Sequence, residues 1–250
     1  MGIKRLFIDI ETSLCLGYFW RTGYNLTIDH VNIEKERQII CACWKWQDED
    51  FIYSIDWGPD QNDKNVLDVL VPEIQKADQI VAANGDKFDV KWIRGRCLVH
   101  RIPFPYKLCT FDTCTEARKM FNLNSYKLDY VSVLLGHQGK SETGGIGLWK
   151  SVMKGDNKAL LKMVDYCRND VLRLEEVYLD MEPYSTPTMH VGVMNGKARW
   201  TCPVCGSEDV ISNGPITTTT GMIKYRMQCK KCHSYYRIPS TLREIMLKAN

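Results

Sequence analysis

Two hydrophobic periods alternate along the chain up to about residue 182. Apolar residues with a period of two, or unbroken over a few positions, predict β-strands, whereas recurrence every three to four positions predicts helices. The pattern predicts strands at residues 3–9, 38–46, 51–56, 79–83 and near Cys109, and helices at 63–76, 87–97, 113–121, 126–135 and 157–180. This order is typical of an α/β fold whose sheet begins as a meander.

Beyond residue 182 the pattern changes. Residues 183–196 combine prolines, glycines and small polar residues without a clear period, which favours a linker or an irregular packing segment. Further on, residues 209–212 and 224–228 are short strand-like runs joined by a threonine-rich turn at 217–221. We therefore predict a domain at 1–182, a linker at 183–196 and a small domain at 197–250.

Two irregular segments interrupt the α/β pattern. Residues 17–24 form part of a long connection and cluster aromatic residues around Arg21. These aromatics would stack on the terminal bases of a single strand, or pack onto the domain core, and the sequence favours neither. The glycine-rich residues 144–147 lack the preceding strand and following lysine of a phosphate loop, so we expect a flexible connection there.

Three acidic fragments set far apart predict one metal site. Asp9 and Glu11 lie two residues apart at the end of the first strand, so their side chains point to the same side. Asp89 follows another apolar strand, and Tyr166 and Asp170 share one face of the last long helix. Such a carboxylate cluster is costly unless divalent cations neutralise it.

The ligand chemistry favours two magnesium or manganese ions over zinc, because the ligands are hard oxygens with no histidine or cysteine nearby. A pair of ions about 3.5–4 Å apart activates water and stabilises the leaving oxygen of an in-line displacement. Tyr166, one helical turn before Asp170, is placed to hold the attacking water. Any one of these acids alone is more often a surface charge or helix cap, so the prediction of phosphodiester hydrolysis depends on their combination.

These fragments resemble the motifs of the DnaQ-like 3′-5′ exonucleases of the DEDD superfamily, in the subgroup whose third motif is Tyr-x-x-x-Asp. The resemblance covers about residues 1–182, including the stretches 111–113, 124–130 and 134–136 between the second and third motifs. The three motifs are matched in order by Asp9 and Glu11; by Asn84, Phe88 and Asp89; and by Tyr166 and Asp170.

The resemblance implies a ribonuclease H-like fold, with a mixed sheet flanked by helices, and a two-metal site. It implies that Asp9 bridges both metals, that Glu11 and Asp170 complete one site, and that Asp89 acts mainly through a bound water at the other. The implied activity removes nucleotides from single-stranded 3′ ends and releases nucleoside 5′-monophosphates. We take Asn84, Phe88 and Lys140 as candidate substrate contacts, although the sequence favours a solvated surface lysine at Lys140.

Three function classes stay open at this point. The proofreading-type motif set favours DNA as substrate, with RNA as the alternative, because no residue in the sequence reports a contact to the 2′-hydroxyl. A second class is a nucleic-acid-binding module that keeps the fold without the activity, and a third is a resolvase-type endonuclease. The complete set favours the exonuclease, since a non-catalytic descendant needs none of these residues and the endonuclease does not need Tyr166.

Two Cys-x-x-Cys pairs near the C-terminus predict a zinc ribbon. This spacing presents four thiolates tetrahedrally to one structural zinc ion. The sequence has neither a signal peptide nor a bilayer-length apolar run, so we expect a reduced, cytoplasmic protein whose other cysteines lie in the core. The four predicted ligands are Cys202, Cys205, Cys229 and Cys232.

Charge is divided unequally between the two predicted domains. Residues 187–250 carry nine basic and three acidic residues, an excess of six, and since the whole chain carries +3 the remainder carries −3. Binding of zinc by four thiolates lowers the excess to about four, which still attracts phosphate. The basic excess favours nucleic acid over a replication or repair protein as the partner of the ribbon. The aromatics Trp200, Tyr225, Tyr235 and Tyr236 would offer stacking faces or form the ribbon core.

Overall fold

The computed structural model describes residues 3–23, 27–139, 144–185 and 187–249. The chain divides into two compact units, which we call the N-terminal unit (Lys4–Tyr184) and the C-terminal unit (largely Ser185–Asn250). No helix in the described residues combines the length and apolar character needed to cross a membrane.

The N-terminal unit contains a five-stranded mixed sheet and a two-stranded hairpin, flanked by helices. Its strands are β1 (Arg5–Thr12), β2 (Leu16–Gly17), β3 (Ile33–Lys35), β4 (Ile39–Trp46), β5 (Tyr53–Asp56), β6 (Gln79–Ala82) and β7 (Thr110–Asp112). Its helices are α1 (Lys64–Lys76), α2 (Asp89–His100), α3 (Thr113–Met120), α4 (Leu128–Leu134), α5 (Ile146–Met153) and α6 (Asn157–Met181), with short 3-10 turns at His30–Asn32 and Glu182–Tyr184.

The large sheet has the strand order β5-β4-β1-β6-β7. The first three strands of this order are antiparallel neighbours, and β6 and β7 continue the sheet in parallel. The predicted α/β class and the opening meander are therefore confirmed. This topology puts β1 in the centre of the sheet, where both of its edges are paired.

Helix α6 packs on β1 and β4 through a stripe of buried residues at helical spacing. The side chain of Asp156 begins the helix by accepting hydrogen bonds from the amides of Lys158 and Ala159. Because residues three and four apart share a helix face, the sequence alone sets which side of α6 meets the sheet. The stripe includes Met163, Cys167, Val171, Leu174 and Tyr178.

The structure corrects the expectation of a flexible connection at 144–147. Helix α5 already begins at Ile146, after Gly145 with a φ of 62°, a conformation that a glycine adopts without strain. Leu148 and Val152, four residues apart, are buried, and the indole of Trp149 donates to the carbonyl of Thr12 at 3.0 Å. Helix α5 thus supports the end of β1.

The C-terminal unit is a small three-stranded antiparallel sheet with two helices. Its elements are α7 (Val191–Met194), β8 (Val210–Thr217), β9 (Ile223–Cys229), β10 (Tyr235–Pro239) and α8 (Ser240–Ala249). Trp200, Met227, Ile238 and Met246 form its hydrophobic core. The predicted run at 224–228 lies in β9 and that at 209–212 lies in β8 except for its first residue, whereas β10, α8 and the short α7 inside the predicted linker were not expected.

Candidate active site

Strand β1 carries Asp9 and Glu11 on the face that α6 covers. Asp9 lies opposite Cys43 of β4, and Glu11 lies opposite Cys41, so the neighbours of the two acids on this face are small, fully buried thiols. Small side chains let the helix come close to the sheet, and the thiol of Cys167 on α6 donates to the main-chain carbonyl of Asp9 at 3.3 Å. The cysteines predicted as strand and core residues thus lie directly beneath the acids, which corrects the sequence-based premise that no cysteine is near them.

Three carboxylates from β1 and α6 converge at this point. One oxygen from each of Asp9, Glu11 and Asp170 lies within 4.8 Å of the other two. The hydroxyl of Tyr166, one helical turn before Asp170, is hydrogen-bonded to the Asp170 carboxylate. We call Asp9, Glu11 and Asp170 the acidic triad.

Asp9 provides the observation that tests whether the triad fits a cation. Its Oδ2 atom is buried and has no hydrogen-bond partner among the described residues. A buried, unsatisfied carboxylate oxygen beside two further acids is strongly unfavourable in an otherwise apolar setting. The triad therefore fits a hard divalent cation, whose preferred ligands are carboxylate oxygens.

Asp89 lies beside the triad as the first residue of α2. It is 3% exposed, and its Oδ1 accepts a hydrogen bond from the amide of Ile10 at 3.1 Å. This contact ties the start of α2 to β1 between the two acids of the first motif. The negative charge of Asp89 acts on Asp9, where it is the strongest electrostatic influence on the pKa after burial.

Asp9 and Asp89 hold protons more tightly than a free aspartate does, because the pKa of each is raised. Burial, followed by the charges of Asp89, Glu11 and Asp170, raises the pKa of Asp9 well above its usual range. Burial also raises the pKa of Asp89 to about 7, against the opposing effect of its hydrogen bonds to backbone amides. Protons and cations consequently compete for the same oxygens near neutral pH.

Tyr166 remains a neutral phenol in this environment. Burial raises the pKa of its hydroxyl, and the nearby charges of Asp170, Glu11 and Asp9 raise it further. A phenol that stays protonated can donate and accept hydrogen bonds but is a poor general base. Its chemistry is therefore suited to positioning a water molecule.

Asp112 is a site residue whose role the sequence did not reveal. Its carboxylate accepts hydrogen bonds from the amides of Asn84 and Asp86, both at 3.2 Å, and caps α3 through the amide of Thr115 at 2.9 Å. Asn84 has a φ of 61°, which turns the chain sharply before Phe88 and Asp89. An aspartate immediately before a helix predicts a helix cap. Its hydrogen bonds to the loop at Asn84 could not be predicted, because that loop is distant in sequence and meets Asp112 only in the folded protein.

Arg173 is a second site residue that sequence reasoning missed. Its side chain is buried, and its Nη1 atom donates to Oδ1 of Asp170 at 2.6 Å. The sequence did contain a signal for this contact, because Asp170 and Arg173 are three residues apart on one helix and such pairs are neighbours on its surface. Arg173 brings one positive charge to a region that holds four carboxyl groups.

The comparisons with known proteins agree with this architecture. The model of the RNase_H superfamily matches residues 6–181, a span that includes every acid described above. The chain belongs to the RNase_H superfamily. Membership confirms the expected ribonuclease H-like fold.

Among solved structures, the chain is similar in fold to a family B DNA polymerase from the hyperthermophilic archaeon Pyrobaculum calidifontis, with a TM-score of 0.51 and 16% sequence identity. The match covers 74% of this chain and 26% of the polymerase, so the chain spans about a quarter of that protein's length. At this identity the likeness shows a common fold. No curated protein matches the chain.

The predicted substrate contacts Asn84 and Phe88 are both half-buried in the N-terminal unit, but they have different neighbours. Phe88 is half-buried against the main core, with its ring centroid 6.4 Å from that of Trp92. Asn84 is half-buried in the turn held by Asp112. Lys140 lies outside the described residues.

The aromatic segment that follows β2 projects into solvent. Tyr18 and Phe19 are 67% and 57% exposed, and Trp20 is 103% exposed. Packing onto the domain core, one of the two alternatives that the sequence left open, therefore does not apply to these three residues. Tyr24 lies outside the described residues.

The four predicted ribbon cysteines converge in the C-terminal unit, outside the region matched to the RNase_H superfamily. Their sulfur atoms all lie within 4.8 Å of one another, and the pairs Cys202–Cys232 and Cys205–Cys229 are both 3.6 Å apart. Four sulfurs at about 2.3 Å from a tetrahedral zinc ion lie about 3.8 Å apart, so the cluster fits that metal.

Ser234 supports the cysteine cluster from the side. Its hydroxyl lies 2.8 Å from the sulfur of Cys232 and 3.3 Å from that of Cys202. Burial alone would raise the pKa of Cys232, but hydrogen bonds from Ser234 and from neighbouring thiols outweigh it and lower that pKa to about 6. A thiolate is the form that binds metal.

Proposed function

We propose that the protein is a metal-dependent 3′-5′ exonuclease that hydrolyses phosphodiester bonds of DNA and releases nucleoside 5′-monophosphates. The observation that carries the proposal is the buried, unpartnered Oδ2 of Asp9 inside the acidic triad. A site of this composition is stable in an active form only with bound cations. Two Mg²⁺ or Mn²⁺ ions would be held by Asp9, Glu11, Asp89 and Asp170, and when bound they supply an activated nucleophile and stabilise the leaving oxygen.

The side chains around these acids have separate tasks in the proposal. Tyr166 orients the attacking water through its neutral hydroxyl, which already contacts Asp170. Arg173 fixes the rotamer of Asp170 through their 2.6 Å ion pair and offsets part of the negative charge. Asp112 positions Asp89 by holding the preceding loop. None of these three contacts requires the substrate to be present, so the site is organised in advance.

A basic groove beside the acids supports nucleic acid as the substrate. The groove has a volume of about 560 Å³ and is adjacent to the site at two points, since Lys87 precedes Asp89 by two residues and Arg37 hydrogen-bonds to Thr12 at the end of β1. The guanidinium of Arg37 also stacks 4.6 Å above the ring of Trp92. A groove that combines cations with an aromatic face suits a single strand. Its lining residues are Glu36, Arg37, Lys87, Lys91, Trp92, Gly95, Arg96 and Val99.

The candidate substrate contacts complete this picture. We assign Asn84 and Phe88 to the terminal nucleotide because they precede Asp89 in the same turn, and we keep Lys140 as a candidate phosphate contact. The exposed Trp20 and its neighbours would stack on bases further along the strand. The choice of DNA is supported by the structural likeness to a DNA polymerase, and an exoribonuclease is the alternative.

Digestion of defined strands tests the function. The substrates are a 5′-labelled linear DNA strand, its RNA counterpart, and a circular single-stranded DNA of the same composition, each with Mg²⁺ or Mn²⁺. We expect a ladder that shortens from the 3′ end of the linear DNA and an intact circle, because an exonuclease needs a free end. Cleavage of the circle would indicate an endonuclease, and binding without cleavage of any strand would indicate a recruitment module.

For the C-terminal unit we propose a structural zinc ion held by Cys202, Cys205, Cys229 and Cys232. We retain the organisation of an exonuclease domain at 1–182, a linker at 183–196 and a ribbon at 197–250. The test is zinc content by atomic emission on purified full-length protein and on Cys229→Ser. One zinc per chain that is lost in the variant supports the assignment, and equal zinc in both proteins contradicts it.

A further inference from the structure

The outward face of the three-stranded sheet in the C-terminal unit carries an unusual row of cations. Arg226 of β9 lies directly opposite Arg237 of β10, and Lys224 shares the same face two residues along β9. Gln228 lies opposite Tyr235, one step further along the same face. We call Lys224, Arg226, Gln228, Tyr235 and Arg237 the basic face.

The alternate residues of the same strands point the other way. Met227 and Ile238 are core residues, with Tyr225 and Tyr236 packed against them. The hydroxyl of Tyr236 donates to the carbonyl of Trp200 at 2.7 Å. Three of the four aromatics that the sequence offered as stacking faces, Trp200, Tyr225 and Tyr236, therefore build the small core. Tyr235, on the basic face, is 62% exposed.

The acids of the unit do not neutralise this face. Glu208 pairs with Lys197 at 3.7 Å, and Asp209 pairs with Lys230 at 3.4 Å. Glu244 lies on α8, which packs on the core side of the sheet through Met246. Within the described residues, the three cations of the basic face form no ion pair.

Like charges directly opposite one another on a sheet destabilise it unless an anion lies between them. The face combines paired arginines, a third cation, a flat exposed phenol ring and an amide in one continuous surface. The cations can bind phosphates, and the exposed ring of Tyr235 can stack on an unpaired base. An acidic peptide would use the cations but leaves the ring without a matching partner.

We propose that the basic face binds single-stranded nucleic acid, with phosphates against Lys224, Arg226 and Arg237 and a base stacked on Tyr235. The surface belongs to the C-terminal unit, so the inference goes beyond the proposed catalytic activity and does not depend on hydrolysis. Its role is to hold a strand whether or not the acidic triad acts on it.

The experiment measures binding of a fluorescent single strand to the full-length protein over a series of salt concentrations, without added Mg²⁺ or Mn²⁺ and without a chelator, which would remove the structural zinc. The test variant is Arg226→Ala/Arg237→Ala. The matched control is Lys197→Ala/Lys230→Ala, which removes two charges from the same unit at residues already paired with acids. Zinc content verifies that every variant keeps its fold.

In the test variant we expect the slope of log K against log salt to become less negative by about 1.4, because each contact with single-stranded phosphate contributes about −0.7. The control keeps the wild-type slope. Tyr235→Ala is expected to weaken binding about 5- to 150-fold without changing the slope, since stacking is not an ionic contact.

Three results would overturn the proposal. An unchanged slope in the test variant would show that Arg226 and Arg237 do not contact phosphate. An equal change of slope in the control would show that the effect comes from the net charge of the unit. Equal binding of a polyglutamate peptide, unaffected by Tyr235→Ala, would make the face a docking site for acidic protein segments. A protein that binds strands as expected but fails to cleave them would refute the proposed exonuclease activity while leaving the basic face intact.

Discussion

Asp89→Asn tests how much the buried negative charge of Asp89 lowers the free energy of unfolding. The substitution removes one negative charge but retains an Oδ1 atom that can accept the hydrogen bond from Ile10. It mimics the protonated carboxyl, which the buried position favours. We expect the metal-free variant to be more stable than the wild type at alkaline pH and similar to it at acid pH.

The magnitude follows from the pKa of Asp89, which rises from 3.8 to about 7 on folding. Because the folded-state pKa is the higher one, the stabilisation due to the bound proton is fully present below pH 3.8 and is lost as the pH rises through about 7. The shift corresponds to about 4 kcal/mol over the full range. On the order of 2–3 kcal/mol of this falls between about pH 5 and pH 8.

The assay is urea denaturation at about pH 5 and pH 8 without added Mg²⁺ or Mn²⁺ and without a chelator, which would remove the zinc proposed for the C-terminal unit. The wild type should lose stability relative to Asp89→Asn by the stated amount between the two conditions, and added Mg²⁺ should restore more stability to the wild type than to the variant. Asp165→Asn is the matched control, because this carboxylate on α6 is 69% exposed. Parallel pH profiles for wild type and Asp89→Asn would refute the reasoning, as would an equal effect of the control substitution.

Three further predictions concern turnover and substrate binding. Tyr166→Phe should lower kcat about 10- to 1,000-fold with little change in KM, because positioning a water is a transition-state effect, and an unaltered kcat in steady-state assays would make the residue a packing residue. Lys91→Glu should weaken strand binding about tenfold in a salt-dependent manner, whereas Lys64→Glu, the same charge change on α1 outside the groove, should not. Trp20→Ala should weaken strand binding about 5- to 150-fold and leave the melting temperature unchanged, since the side chain is 103% exposed; a destabilised variant would contradict this.

The central part of the fold could be predicted from local pattern. Strand β1 and helix α6 have long, regular apolar periods, and the acids they carry are placed by those same periods. Helix α5 was missed because the glycines before it resemble a loop, although Gly145 provides the turn from which the helix starts. Burial of Leu148 against the rest of the unit then outweighs the weak local signal.

Other features depend on contacts between distant segments. The contacts of Asp112 join β7 to the loop at Asn84, and that of Cys167 joins α6 to β1, so no local pattern reports them. The aromatic residues of the C-terminal unit also could not be assigned to surface or core from the sequence alone. Tyr235 and Tyr236 are adjacent in sequence, yet the strand alternation sends one to solvent and the other to the core.

The central claim is that the acids around Asp9 direct water onto the terminal phosphodiester bond. Its most direct test is digestion of a DNA strand with Mg²⁺ in water enriched in oxygen-18, followed by mass spectrometry of the released nucleotides. The account predicts nucleoside 5′-monophosphates that carry one heavy oxygen in the phosphate, and no release by a folded Asp9→Ala variant. Unlabelled products, or labelled products from Asp9→Ala at the wild-type rate, would contradict it.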